Sequence, residues 1–139
     1  MAVARYLADK SAYARLHQEP VRRRLGPLIE SGLVATCTLI DMEILFSTRT
    51  PREFQEVRHE RGGIERLDME QSDWDRAAEI QAVLASRGKT RAVGIPDLLL
   101  AALAERHRVT LLHYDRDFDV ISALTSQPAE WIVAAGSVS

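Results

Sequence analysis

Short apolar runs alternate along this chain with longer segments in which apolar residues recur at helical spacing. The short runs favour β-strands, and the longer segments favour amphipathic helices. Strands are predicted over residues 5–9, 33–35, 109–112 and 131–133, with a weaker candidate over 65–68. Helices are predicted from about residue 11, over 20–31 and 38–47, from 51 into a polar stretch ending near 62, and over 72–87, 95–107 and 115–124. Alternating strands and helices form βαβ units, so the pattern predicts an α/β fold, a three-layer α/β/α sandwich with a central parallel sheet.

Residues that start and stop helices mark several of these boundaries. Pro20 stands at the start of the second helix and Gly32 just after its end, positions where these residue types are favoured. The segments 38–41 and 50–53 both have the capping-box pattern, and Ser72 is predicted to cap a later helix. No repeat or linker divides the 139 residues, so we expect a single domain over 1–139.

Composition narrows the class of protein. With 46% hydrophobic residues, 27% charged residues and a formal net charge of -2, the chain has the balance of an ordinary folded domain, and RNA binding would require a local basic face. Cys37 is the only cysteine, which excludes an intramolecular disulfide, and we expect it to be buried. The N-terminal apolar run is too short for a secretory signal, and residues 98–104 are too few to span a membrane. The default expectation is a cytoplasmic protein with no membrane association.

Four acidic residues stand where a solvated surface acid is not expected. Asp9 and Asp115 follow predicted strands, and the carboxyl ends of parallel strands line the functional edge of an open sheet. Glu43 interrupts an apolar helical run, and Asp97 precedes another. Ionised groups in apolar surroundings are unfavourable unless they are paired or bind a cation.

Taken together, the four acids predict a metal site. No lysine or arginine stands out as their partner, so converging carboxylates would repel one another until a divalent cation bound. Oxygen ligands favour Mg²⁺ or Mn²⁺ over Zn²⁺, and such ions support phosphodiester hydrolysis. Three of the acids also have a structural alternative when taken alone: Asp9 as a helix cap, Asp97 as a partner of a helix dipole, and Glu43 as the partner of a distant arginine.

These residues and their surroundings resemble the PIN-domain family, and specifically its VapC-type toxins, over nearly the whole chain. The family has an acid and then a small hydroxyl residue after its first strand, as in Asp9-Lys10-Ser11. It has a glutamate on a helix, here Glu43, and an aspartate opening an Ala-rich apolar helix, here Asp97. Its last motif, Asp-x-Asp-Phe after a strand, matches residues 115–118. Each motif alone is weak, whereas the ordered set is specific.

The resemblance implies a metal-dependent endoribonuclease that leaves 5′-phosphate and 3′-hydroxyl ends. It implies the toxin of a type II toxin–antitoxin pair, which forms a homodimer and is neutralised by a VapB-like antitoxin. It also implies that Asp9, Glu43, Asp97 and Asp115 are catalytic and bind Mg²⁺ or Mn²⁺. Asp117 would be an accessory acid, and Ser11 would form a hydrogen bond near the metal. Phe118 would belong to the core.

Two residues depart from the family pattern, in which threonine is common at both positions. Lys10 separates Asp9 from Ser11, and we expect it to be solvated, with a contact to substrate phosphate as the alternative. His113 stands two residues before Asp115, and we expect a structural role, with proton transfer as the alternative.

Basic, histidine and tryptophan residues give weaker signals. Arg87, Lys89 and Arg91 form a loop before Asp97 that could hold RNA phosphates or be solvated, with neither favoured. Residues 22–24, all arginine, are expected to be solvated or to face an antitoxin. The other histidines lack metal-ligand spacing and are expected at the surface or at helix ends, whereas both tryptophans are expected in the core: His17, His59, His107, Trp74 and Trp131.

Three other functions are compatible with parts of the pattern. A receiver-like signalling domain also has an acidic pocket at strand ends, but it needs a late lysine, and Lys89 is the last in this chain. A catalytically silent PIN module would keep the fold and lose the chemistry. An RNA-processing PIN nuclease would keep the chemistry and have no antitoxin.

Overall fold

A parallel four-stranded sheet forms the centre of the computed structural model, which describes residues 4–139. The strands are β1 (Tyr6–Ala8), β2 (Val34–Ala35), β3 (Thr110–His113) and β4 (Ala129–Trp131). Their order is β2-β1-β3-β4, and all three neighbouring pairs are parallel. Within the described residues the helices are α1 (Lys10–Tyr13), α2 (Glu19–Glu30), α3 (Thr38–Leu45), α4 (Pro51–Arg61), α5 (Gln71–Ser86), α6 (Ile95–His107) and α7 (Asp117–Thr125).

Helices cover both faces of this sheet. Successive strand residues point to opposite faces, so Leu7 and Leu111 enter one core and Ala8 and Leu112 the other. The larger core is completed by α5, α6 and α7, with Phe118 buried in it as expected, and the smaller core by residues of α2 such as Leu25. Two cores on one sheet make three layers, which confirms the predicted α/β/α sandwich.

Several predicted boundaries differ from the structure. The weak strand over 65–68 is reduced to a single bridge between Arg66 and Thr36, at the β2 edge. The last strand lies two residues earlier than predicted. Ser72 does not cap α5; that helix begins one residue earlier, and the Asp73 carboxylate accepts the backbone N–H of Glu70 at 2.8 Å.

The predicted capping box at Thr38 is also wrong. The residue before α3 is Cys37, which is buried as expected, and no side chain caps that helix start. Asp41 turns into the core instead, where its Oδ1 accepts hydrogen bonds from Arg61 Nε at 3.0 Å and from Thr36 Oγ1 at 2.8 Å. A buried arginine is a stronger partner for a carboxylate than a partly hydrated backbone N–H.

The tryptophans also depart from the prediction. Trp74 is 51% exposed on α5, so its expected core position is wrong. Trp131 is half-buried, and its Nε1 donates to Asp119. His17 and His59 are exposed and His107 lies in the last turn of α6, as predicted. Among residues 4–139, no helix is both long and apolar enough to cross a bilayer.

Thr50 is the residue that best tests the helix caps. Its side chain accepts the backbone N–H of Glu53 at 3.0 Å, as the capping-box pattern predicts. We expect Thr50→Ala to lower the free energy of unfolding by about 1 kcal/mol, because an N–H at the start of α4 loses its partner. The matched control is Thr38→Ala, which removes no cap. Equal effects of the two substitutions in urea titrations would contradict this assignment.

Candidate active site

Asp9 lies at the carboxyl end of β1, between the sheet and α1. Its backbone N–H continues the sheet by donating to Leu112 O at 2.9 Å, and its Oδ2 caps α1 by accepting the N–H of Ser11 at 3.0 Å. The carboxylate is 2% exposed, and its Oδ1 has no hydrogen-bond partner in the described chain. The structure therefore contains the cap that was the structural alternative for Asp9, and it leaves a second oxygen free for a ligand.

Three further aspartates converge beside it. Asp97 stands in the first turn of α6, Asp115 follows β3, and Asp117 begins α7. One carboxylate oxygen from each lies within 4.8 Å of the others, which defines the aspartate cluster. Asp115 Oδ1 accepts the N–H of Asp117 at 2.9 Å, so the turn after β3 fixes its orientation. Asp117, expected to be accessory, is thus a full member of this group.

The carboxylates of the aspartate cluster repel one another. Burial, and then the negative charges of Asp9, Asp115 and Asp117, raise the pKa of Asp97 to about 8. Burial, followed by the charge of Asp115, also raises the pKa of Asp117. Neighbouring carboxylates that cannot all ionise retain a proton between them, and a divalent cation would displace it.

Glu43 lies apart from the aspartate cluster and already has a partner. Its Oε2 is 3.2 Å from Lys10 Nζ, so the expectation that the acids lack a nearby cation is wrong at this position. Lys10 is exposed, as expected, and it also forms this ion pair. Glu43 Oε1 is buried and, among residues 4–139, accepts no hydrogen bond. One oxygen is therefore held and the other is open, as in Asp9.

Neighbouring polar groups hold the strand ends in place. Ser11 Oγ accepts the N–H of Tyr114 at 2.9 Å, which ties α1 to the end of β3. His113 is fully buried, and its Nδ1 accepts the N–H of Asp115 at 3.1 Å. Burial lowers the pKa of His113, which favours the neutral ring that this bond requires. These contacts give His113 the structural role expected from the sequence.

A cavity of about 510 Å³ opens beside the acids, and sequence reasoning missed much of its lining. The guanidinium of Arg15 stacks 4.3 Å from the centre of the Tyr114 ring, and Phe46, at the rim, is 92% exposed. An exposed phenylalanine close to Glu43 would be a signal for a binding surface, but sequence alone does not show which face of α3 is solvated. The cavity also includes Lys10, Ser11, Tyr13, Glu43 and Asp115.

The basic residues of the loop before α6 and of α2 do not line this cavity. Arg87, Lys89 and Arg91 are exposed in the loop before α6 and form no ion pair within the part of the chain described. Of the α2 arginines, Arg23 pairs with Glu19, whereas Arg24 pairs with Glu130 and donates to two backbone carbonyls of the β4 segment. Arg24 is therefore a structural residue.

The residues present fit a divalent cation bound by oxygen ligands. Asp97, Asp115 and Asp117 could hold it directly. Asp9 is close enough for its charge to raise the pKa of Asp97, and its Oδ1 has no partner among the described residues. The donor set contains no cysteine or neutral histidine, which disfavours Zn²⁺. Carboxylate oxygens without a protein partner suit a divalent cation that prefers oxygen ligands.

The raised pKa of Asp97 has a measurable consequence for stability. The folded protein binds the Asp97 proton more tightly than the unfolded chain, whose pKa is near 3.8, so folding becomes less favourable as the pH rises from about 4 to about 8. Asp97→Asn removes this dependence. In EDTA, we expect the free energy of unfolding of wild type to fall by about 1–2 kcal/mol relative to that of Asp97→Asn between pH 5 and pH 8. Urea titrations across this range measure the difference, and a difference independent of pH would contradict it.

Comparison with known proteins places this chain in a family. The model of the PIN domain matches residues 6–124. Ribonuclease VapC21 of Mycobacterium tuberculosis is 45% identical over 134 residues, which cover 96% of this chain and 97% of the relative. The DNA-bound VapBC of Salmonella typhimurium matches with a TM-score of 0.76 and 19% identity, over 94% of this chain and 100% of the solved chain.

A second solved structure has the same fold. It is VapBC-5 of Mycobacterium tuberculosis, a member of the VapBC family of toxin–antitoxin systems, with a TM-score of 0.61 and 21% identity over 94% of this chain and 99% of the solved chain. At these identities the two solved structures support the fold, whereas the PIN model and the 45% identity to VapC21 establish the relationship. The chain therefore belongs to the PIN-domain family and, within it, to the VapC ribonucleases.

Proposed function

We propose that this protein is a metal-dependent endoribonuclease and the toxin of a type II toxin–antitoxin pair. The observation that carries the proposal is the aspartate cluster at the carboxyl ends of β1 and β3, with Asp9 and Glu43 beside it. Three carboxylates converge in the cluster, and Asp9 and Glu43 beside it each keep a buried oxygen without a partner among the described residues. The chain is also 45% identical to a protein named as a ribonuclease.

The chemistry is hydrolysis of one phosphodiester bond. The oxygen of water attacks phosphorus, the bond from phosphorus to the 3′ oxygen breaks, and that oxygen takes up a proton, leaving 5′-phosphate and 3′-hydroxyl ends. Bound Mg²⁺ or Mn²⁺ would neutralise phosphate charge and make water more acidic. Asp97, Asp115 and Asp117 would hold the cation, and Asp9 and Glu43 would complete the negative site. Ser11 ties α1 to the segment after β3, and His113 holds the backbone of Asp115.

The surface around the acids supports RNA as the substrate. Arg15, stacked on Tyr114, and Lys10 bring positive charge and an aromatic face to the cavity beside Asp115. Exposed aromatic faces suit unstacked bases, and arginine and lysine suit phosphates. Arg87, Lys89 and Arg91 would add phosphate contacts from the loop that precedes Asp97, and such contacts raise affinity without reading sequence.

Two protein partners are part of the proposal. A VapB-like antitoxin would neutralise the enzyme, as the toxin–antitoxin classification of VapBC-5 suggests. A second copy of the chain would form a homodimer. Trp74 and Ile95 are exposed and apolar and line a groove between α5 and α6, and covering this surface would favour the dimer. A nuclease that acts on cellular RNA, with such an antitoxin, would work in the cytoplasm.

The direct test is cleavage of total RNA by the purified protein freed of antitoxin. Reactions contain Mg²⁺, Mn²⁺ or EDTA, and adapters that join only to 5′-phosphate ends map the products. We expect discrete new ends that require metal and that return when metal is restored after EDTA. Cleavage that persists in EDTA, or new ends with a 5′-hydroxyl, would refute the mechanism. Discrete cleavage with no antitoxin gene beside the toxin gene would point to an RNA-processing nuclease.

A further inference from the structure

Lys10 brings a fixed positive charge into the acidic site. It begins α1, directly after Asp9, and its Nζ lies 3.2 Å from Glu43 Oε2. The Lys10 side chain is 55% exposed, whereas that of Glu43 is 16% exposed. The ammonium therefore reaches the carboxylate from the solvent side. It has no other acidic partner within ion-pair distance among the described residues.

The ion pair divides the acids into two groups. Asp97, Asp115 and Asp117 converge within 4.8 Å, and Glu43 stands outside that group with one oxygen bound to Lys10 and the other open. The charges of Asp9 and Asp97 act on the same ammonium, because both raise the pKa of Lys10 after the larger effect of Glu43. Lys10 also lines the same cavity as Glu43 and Asp115, so it belongs to the acidic site rather than to a remote surface.

We propose that the Lys10 ammonium occupies the cation position beside Glu43, so that the protein binds a single divalent ion, at the aspartate cluster. The inference rests on the proposed metal-dependent function and adds the number of ions to it. A second divalent ion at Glu43 would have to displace a tethered cation and would meet its repulsion. Lys10 is in this sense a positioning residue, which sets where metal binds.

The charge balance gives the proposal its physical basis. The Lys10 ammonium already compensates the charge of Glu43, so a divalent ion there would meet less attraction than at the three aspartates, which form no ion pair among the described residues. The ammonium is also exposed, so it remains free to contact a substrate phosphate when RNA enters the neighbouring cavity, which Lys10 lines. Such a contact would replace charge that a second ion supplies in other nucleases.

The test measures Mn²⁺ binding to metal-free protein without RNA, by calorimetry and by the paramagnetic resonance signal of free Mn²⁺. We expect one ion per chain for wild type and for Lys10→Arg. We expect Lys10→Met to gain a second ion, or to bind its ion at least about tenfold more tightly, because Glu43 is released and a positive charge is lost. The double variant Lys10→Met with Glu43→Gln should return to one ion, which separates this effect from a general change in charge.

Other results of the Mn²⁺ measurement would contradict the proposal. Two ions in wild type, or identical binding by wild type and Lys10→Met with both folded by circular dichroism, would overturn the role of Lys10 and leave the nuclease proposal intact. Absence of binding in wild type would overturn both. Cleavage assays on the same variants add a second reading: Lys10→Met should raise KM for RNA more than it lowers kcat if the ammonium contacts phosphate.

Discussion

Asp97→Asn is expected to remove RNA cleavage and leave the protein folded. The substitution keeps the size of the side chain and removes a negative charge from the centre of the aspartate cluster, where burial and three neighbouring carboxylates surround it. A cation held by the remaining acids loses a ligand. We expect cleavage to fall by at least about 100-fold, more than is usual for residues that only support metal ligands.

Asp97→Asn is not expected to destabilise the folded state, so a loss of activity can be assigned to the site. Asp97 is unfavourable in the metal-free protein, so the amide should stabilise it. A matched control is Asp75→Asn, an exposed acid on α5 whose Oδ1 only accepts a hydrogen bond from Gln71. Initial rates on a fixed RNA at saturating Mg²⁺ measure both variants. Retention of most of the activity by Asp97→Asn, or equal loss in Asp75→Asn, would contradict the role of the cluster.

Asp41→Ala is expected to cause the largest loss of stability. The Asp41 carboxylate binds Arg61 and Thr36 in the core, and its Oδ2 lies 2.6 Å from Arg66 Nη1. Removing it leaves the Arg61 guanidinium buried without its anion. We expect a loss of about 3 kcal/mol in the free energy of unfolding. For a domain of this size that corresponds to a fall of roughly 10 °C in Tm.

A double substitution separates the buried charge from simple loss of packing. Asp41→Leu with Arg61→Met replaces the pair by apolar groups of similar volume, and it should recover much of the stability lost in Asp41→Ala. Urea and thermal unfolding of the single and double variants give the comparison. A loss below about 0.5 kcal/mol in Asp41→Ala would show that the pair is as solvated as an ordinary surface ion pair.

The sequence predicts the sheet and the convergence of the aspartates for a topological reason. Parallel strands bring their carboxyl ends to one edge, so Asp9 after β1 and Asp115 after β3 must approach each other once the strands pair. Asp117 joins them because its N–H closes a turn on Asp115. Asp97 arrives by packing of an apolar helix whose every residue from Leu98 to Ala104 is buried.

The sequence did not predict which partner each polar side chain takes, nor which face of a helix is buried, because these depend on residues that are distant in the sequence. Thr38 and Asp41 have the spacing of a helix cap, and only the folded chain shows that Arg61, twenty residues later, takes the acid. Glu43 and Lys10 are far apart in sequence, and local patterns do not reveal a partner at long range. Trp74 fits helical spacing for the core, yet the buried face of α5 runs through Ala77, Ile80 and Leu84.

The most direct test of a metal site at these acids is the position of Mn²⁺ in crystals of the protein, located by anomalous scattering at the manganese edge. The predicted result is a peak coordinated by carboxylate oxygens of Asp97, Asp115 and Asp117, and its absence in Asp97→Asn. A crystal with no peak at the aspartate cluster, grown from protein that cleaves RNA in the same Mn²⁺ concentration, would contradict the assignment of these acids as the catalytic centre.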